Sequence, residues 1–121
     1  MKITKKAFEG IRDHCNRFQD IESCGYLFGK EVVEEIKEGI NLDNNPISYT
    51  IDPETTLKSV FREDLMGVYH SHLGAPYPSG VDKEKPKHIN KYYLIYSVYQ
   101  DVLRAYFWDG KGFKEEGVEI V

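Results

Sequence analysis

The end of the chain leaves least freedom to the fold. Residues 92–99 and 102–108 are two aromatic and β-branched runs parted by Gln100-Asp101, and Asp109-Gly110-Lys111-Gly112 precedes a third run at 113–121. Aromatic and β-branched side chains suit a pleated, half-buried surface, and Asp-Gly is a strong hairpin turn. The pattern predicts a closing β-meander over these three runs, so a purely helical architecture is excluded.

Upstream the periodicity changes. Thr4 suits an N-cap, and Phe8, Ile11, Cys15 and Phe18 follow at spacings of three and four, predicting an amphipathic helix over residues 5–18 with those four on its buried stripe. Residues 24–30 and 32–40 have strand character on either side of Gly29, Lys30 and Glu31, which predicts a hairpin. Asn44-Asn45-Pro46 marks a loop, and residues 49–51 form a short β-prone stretch. Asp52-Pro53-Glu54 resembles a helix start, with Asp as cap and Pro first, and Leu57, Val60 and Phe61 as the buried stripe. Residues 65–72 read as a strand running into the turn-rich stretch 74–80, and residues 83–87 as a solvated turn or a short helix broken at Pro86. Strands interrupted by two or three helices, with antiparallel pairs at the end, imply an α+β fold. We expect a mixed, largely antiparallel sheet with two or three packed helices, forming one domain over residues 1–121.

Composition narrows the function. At 121 residues, 40% of them hydrophobic and 13% aromatic, the chain is too rich in core formers to be disordered. Residues 1–60 carry eight Lys plus Arg against eleven Asp plus Glu, and residues 61–121 carry eight against nine. Neither half is a basic arm, which argues against nucleic acid as partner. The N-terminus lacks the apolar stretch of a secretory leader, and no apolar run approaches the roughly 20 residues of a membrane span, so a cytoplasmic protein is expected. Cys15 and Cys24 match neither a zinc knuckle nor a Cys-x-x-Cys pair, and are expected to be reduced, half-buried thiols.

His70-Ser71-His72 carries the chemistry, because side chains two apart on a strand share a face and two imidazoles there can meet one ion. A catalytic zinc site uses three protein ligands and leaves one position open. The missing ligand is a carboxylate, and Asp82 stands beyond a loop of glycines and prolines that can fold it back. A hydrolytic site also needs a proton carrier and an oxyanion donor, for which Glu22 and Ser79 are the candidates. Each piece has a plainer explanation. The two histidines fit a solvated strand, Ser79-x-x-Asp82 fits a capping box, and Glu22 fits a solvated carboxylate after a helix. His14 and His88 are assigned to solvated or locally hydrogen-bonded roles.

Together the pieces resemble one family. Glu22-Ser23-Cys24-Gly25-Tyr26-Leu27-Phe28-Gly29 is similar to the Glu-x-Cys-Gly-x-Leu-x-Gly segment of the JAMM (MPN+, JAB1/MPN/Mov34 metalloenzyme) family, and His70-Ser71-His72 with Ser79-x-x-Asp82 is similar to its metal signature. Tyr49-Thr50-Ile51-Asp52-Pro53 and residues 67–72 resemble the short prokaryotic members, so the likeness covers nearly the whole chain. The resemblance implies the JAMM/MPN, cytidine-deaminase-like architecture and one Zn2+ per chain on His70, His72 and Asp82. It implies Glu22 as general base and Ser79 as oxyanion donor. The reaction it implies is hydrolysis, by a zinc-activated water, of the amide after the C-terminal Gly-Gly of a ubiquitin-like or sulfur-carrier protein. Six residues, 73–78, separate His72 from Ser79 where the family usually has seven, and Leu73 replaces its Pro. That shortening makes Asp82 the residue to check. The alternative is an inactive MPN-type scaffold or interaction module, and a nucleobase deaminase is set aside because it needs a Pro-Cys-x-x-Cys pair.

Overall fold

The computed structural model describes residues 1–85 and 87–121, so the helix break expected at Pro86 lies outside the described residues. Among the described residues the elements run β1 (Lys2–Ile3), α1 (Lys5–Arg17), β2 (Cys24–Gly29), β3 (Val32–Glu38), α2 (Pro53–Val60), β4 (Leu65–His72), α3 (Gly80–Glu84), β5 (Lys91–Ser97), β6 (Val102–Trp108), β7 (Phe113–Glu116) and β8 (Glu119–Ile120). The strands form one mixed sheet in the order β7-β6-β5-β4-β2-β3-β1-β8. The expected α+β class holds.

Alternation along the strands divides two cores between the faces of this sheet. One holds Leu27, Tyr69, Leu94, Tyr96 and Ala105, covered by Ile3, Ala7, Ile11 and Cys15. The other holds Tyr26, Phe28, Leu65, Val68 and Tyr93, with Ile51, Val60, Trp108 and Phe113 packed against it. Burying one large aliphatic or aromatic side chain is worth about 1.5–3 kcal/mol, so each face is anchored by several such groups.

The helices differ from expectation in their stripes. Thr4 caps α1 by accepting from the Ala7 amide, but the buried residues are Ala7, Ile11, His14 and Cys15. Phe8 is only half-buried against that core and Phe18 is exposed, because the stripe turned to the sheet runs through positions 7, 11, 14 and 15. Asp52 caps α2 with Pro53 first, yet Leu57 and Phe61 point to solvent and Ser59 is the buried residue. Both cysteines are wholly buried and free, not half-buried.

The strands also add detail. Residues 49–51 contribute only one bridging pair, Asn41 with Ile51. The meander stops at β7. The residues after it leave for the opposite edge of the sheet, where β8 pairs in parallel with β1. Two glycines are dictated, one by space and one by backbone conformation. A Cβ on Gly25 would lie 2.4 Å from the Lys37 carbonyl and 2.5 Å from the Tyr69 ring. Gly110 has φ 95° in the β6–β7 turn, a region that favours glycine.

The decisive pairing is β4 with β5, which is parallel, while β4 and β2 are antiparallel. A parallel pair cannot be closed by a tight turn, so the connection 73–90 must travel back along one face of the sheet. That connection carries α3.

Candidate metal centre

His70 and His72 end β4, and β2 lies beside them with Cys24 opposite His70. Continuing that antiparallel register by two positions sets Glu22 opposite His72, so a residue remote in sequence joins the same face. The backbone there is tied by the Ser23 amide donating to Ser71 Oγ at 2.8 Å and the Ser71 amide donating to the Ser23 carbonyl at 3.0 Å. Asn41 then fixes Glu22 from the other side, its Nδ2 donating to the Glu22 carbonyl at 3.0 Å and the Ser48 carbonyl at 2.9 Å.

The connection 73–90 delivers Asp82 despite its short first loop. His72 Nδ1 pairs with the Ala75 carbonyl at 2.9 Å, and the Tyr106 hydroxyl donates to the Pro76 carbonyl at 2.9 Å, pinning the loop to β6. Ser79 caps α3: its Oγ accepts from the Asp82 amide at 3.1 Å, and its own amide donates to Asp82 Oδ2 at 2.8 Å. One carboxylate therefore completes the capping box and also faces His70 and His72.

The result is a triangle of donor atoms. His70 Nε2 and His72 Nε2 are 3.1 Å apart, and Asp82 Oδ2 is 3.2 Å from each. Tetrahedral coordination with bonds of about 2.0–2.1 Å has edges of about 3.3–3.4 Å, so this triangle matches one face of such a polyhedron. Glu22 stands off it, Oε1 3.9 Å from His70 Nε2 and Oε2 3.9 Å from His72 Nε2. One donor atom from each of these four residues lies within 4.8 Å of the others.

Burial makes the arrangement costly without a cation. Glu22 and His70 are each 2% exposed and Asp82 6%, and Glu22 Oε1 has no hydrogen-bond partner among the described residues. Unpaired buried carboxylates cost several kcal/mol, which a divalent ion would offset. The residues present fit such an ion.

The two carboxylates are driven apart in acidity. Burial pushes Glu22 up to about 8, with His72 opposing. Burial raises Asp82 too, but hydrogen bonds from His70 and His72 outweigh it and hold the carboxyl well below its usual range. Burial lowers His70, while for His72 the bonds to Asp82 and the Ala75 carbonyl overcome burial and raise it. Opposed shifts on neighbouring carboxylates separate a permanent anion from a group able to exchange a proton near neutrality.

A sequence profile of prokaryotic homologs of the JAB domain matches residues 4–109. The chain belongs to this family. Over 82 residues this JAB-family chain is 37% identical to the desampylase of Pyrococcus furiosus, a stretch covering 62% of this chain and 59% of the desampylase, less than two thirds of that protein. A solution structure of a Desulfitobacterium hafniense protein is 29% identical with a TM-score of 0.86, covering 99% of this chain and 92% of that one. The crystal structure of a JAB1/MPN domain protein from Archaeoglobus fulgidus shares the fold at 19% identity and TM-score 0.65, covering 100% of this chain and 99% of that one.

The JAB-family chain thus brings Glu22, His70, His72 and Asp82 together, with Ser79 beside them. His14 lies elsewhere, buried, with Nδ1 2.7 Å from the Tyr69 hydroxyl, and His88 is exposed. Sequence reasoning did not find Asn41, Tyr49, Ser71 or Tyr106. Ser71 alone carried a signal, as the residue between two candidate ligands, since it must face the opposite side of β4. No helix among the described residues is long and apolar enough to cross a membrane.

Proposed function

We propose that this chain is a zinc metallopeptidase of JAMM type, an isopeptidase that hydrolyses the amide after the C-terminal Gly-Gly of a ubiquitin-like or sulfur-carrier protein. The observation that carries the reading is the near-equilateral triangle of His70 Nε2, His72 Nε2 and Asp82 Oδ2 with the buried, unpartnered Glu22 carboxyl beside it. The likeness to a desampylase supports a substrate of ubiquitin-like class.

His70, His72 and Asp82 would hold one zinc ion, which when bound supplies a Lewis acid and lowers the pKa of water toward about 7. Asp82, whose carboxyl is held well below the usual carboxylate range, offers a charged oxygen. His72 keeps its Nε2 lone pair turned inward because Nδ1 donates to the Ala75 carbonyl. Glu22 takes a proton from the attacking water and returns it to the leaving amine, a role suited to a buried carboxyl whose oxygens stand 3.9 Å from both imidazole nitrogens. Ser79 Oγ accepts from the Asp82 amide, which leaves its hydroxyl hydrogen to donate to the oxyanion. The donors are recessed, so a scissile carbonyl reaches them best on a backbone free of side chains. Two glycines meet that need.

The rival is an inactive scaffold. A scaffold gains nothing from keeping Glu22 at 2% exposure without a partner for Oε1, and this favours the enzyme. The test is cleavage of a ubiquitin-like protein extended beyond its Gly-Gly, with zinc content measured alongside. We expect about one zinc per chain and turnover in the wild type, and retained zinc without turnover in Glu22→Gln. A wild type that binds zinc but cleaves no member of a panel of such fusions would hand the assignment to the scaffold.

A further inference from the structure

We propose that Tyr49, held in place by Lys85, is the positioning residue for His70, orienting by stacking a ligand that lacks the usual hydrogen bond. The inference rests on the metal centre proposed above and concerns how that centre is built.

A metal-binding imidazole ordinarily donates its second ring N–H to a fixed acceptor, which sets the tautomer and the ring plane. His72 follows this rule through Nδ1 and the Ala75 carbonyl, 2.9 Å apart. His70 does not: its Nδ1 is buried and has no hydrogen-bond partner among the described residues. The terminal torsion of a histidine is broad and roughly two-fold, and a ring tied through Nε2 alone can still turn about that contact or exchange Nδ1 for Nε2. Something else must fix it.

Tyr49 does so by area instead of by a hydrogen bond. Its ring stacks on the His70 ring with centroids 4.5 Å apart and planes at 25°. His72 meets the His70 ring edge-on, at 4.9 Å and 66°. Between the stacked face and the edge contact, rotation of His70 about its terminal torsion would drive it into one neighbour or the other.

Tyr49 lies outside the strands, in the segment whose only β pairing is Asn41 with Ile51, so it needs anchors of its own. Its backbone surroundings are fixed by the Leu42 amide donating to the Thr50 carbonyl at 2.8 Å and the Thr50 amide donating to Asn41 Oδ1 at 3.0 Å. Its ring is fixed by Lys85, whose Nζ lies 3.8 Å from the ring centroid, a cation–π contact. Lys85 is the C-cap of α3, three residues beyond Asp82. The same short helix therefore grips His70 twice, directly through Asp82 Oδ2 at 3.2 Å from Nε2, and indirectly through Lys85 and Tyr49. Placement of the third ligand and orientation of the first are thereby linked.

The test uses the full chain, stripped of metal and then titrated with zinc against a chromogenic chelator and with cobalt by visible absorption. Circular dichroism and thermal unfolding of the metal-free chain report the folded fraction. Losing an orienting neighbour ordinarily weakens metal affinity about 10–100-fold, so we expect Tyr49→Leu to fall in that range while Tyr49→Phe stays within about twofold of wild type. Lys85→Met should weaken zinc by about three- to tenfold, as the loss of an anchor one step removed. The cobalt bands of Tyr49→Leu should lose the intensity of a tetrahedral site. A folded Tyr49→Leu chain with wild-type affinity and spectrum would overturn the clamp and leave Tyr49 a packing residue. If Tyr49→Leu does not fold, Lys85→Met decides, and wild-type zinc affinity there overturns the proposal. A wild type that takes up neither zinc nor cobalt would overturn the metal centre and the clamp together, a result distinct from the other two.

Discussion

Ser79 and Asp82 bond each other twice, Asp82 N to Ser79 Oγ at 3.1 Å and Ser79 N to Asp82 Oδ2 at 2.8 Å, and that same Oδ2 stands 3.2 Å from both imidazoles. The cap of α3 and the proposed third ligand are thus one structure. Asp82→Ala should abolish stoichiometric metal binding by the folded chain, measured by elemental analysis. Ser79→Ala should cost about 1 kcal/mol of stability as a lost cap and weaken zinc by about tenfold as the Asp82 carboxyl loosens. Full zinc content in Asp82→Ala would show that the ion is held by other groups.

Glu22 gives the metal-free chain a stability that depends on pH with a definite sign. Its folded pKa of about 8 exceeds the ordinary 4.5, so between those values the folded chain holds a proton that the unfolded chain has released. Stability therefore falls as pH rises through this window and levels off above it. Asp82 acts oppositely: its folded value is depressed below 3.8, so its contribution is present above that pH and lost as pH falls toward the folded value. Urea unfolding in excess chelator should show Glu22→Gln gaining on the wild type between pH 5 and pH 8, by on the order of a few kcal/mol. An equal difference at both pH values would refute the assignment of the raised carboxyl to Glu22.

Tyr106 reaches from β6 to the Pro76 carbonyl at 2.9 Å and holds the loop that precedes Ser79. Tyr106→Phe removes that donor and leaves the rest of the ring in place. The expected cost is about 1 kcal/mol in thermal or urea unfolding, accompanied by a several-fold loss of zinc affinity, because the loop sets where Asp82 arrives. A loss of stability with unchanged zinc affinity would show that the loop does not need this anchor.

Gly25 has no room for a side chain: a Cβ there would lie 2.4 Å from the Lys37 carbonyl oxygen and 2.5 Å from the Tyr69 ring. Backbone and a buried aromatic must both shift, so Gly25→Ala should destabilise by about 2–3 kcal/mol or more. Displacement of Tyr69 would also disturb its 2.7 Å bond to His14. Near-wild-type unfolding would mean that β2 and β4 separate more easily than their packing indicates.

Local signals made much of the fold legible. Thr4, Asp52 with Pro53, and the Asp109-Gly110 turn act within a few residues of themselves, and each marks an element boundary in the structure. The buried faces of α1 and α2 were less legible, because Phe8, Phe18, Leu57 and Phe61 satisfy helical spacing while closeness to the sheet decides which side is covered. The fate of residues 117–121 was also hidden. Turn chemistry predicts a continued meander, but the unpaired side of β1 lies at the far edge and draws β8 into a parallel pair.

The sequence by itself determined the donor types: two imidazoles at a spacing of two, a carboxylate three residues after a serine, and a glutamate ahead of Cys-Gly. Their convergence was decided only by tertiary structure. Glu22 comes near His72 because β2 and β4 pair antiparallel with Cys24 opposite His70, and the chain just before β2 continues along β4. Asp82 returns because β4 and β5 are parallel, which forces their connection back across one face of the sheet. The stack of Tyr49 on His70, the grip of Asn41 on Glu22 and the opposed acidities of Glu22 and Asp82 arise from burial and long-range contact. Residue spacing does not encode these, because it fixes which side chains share a strand face and leaves open what packs against that face.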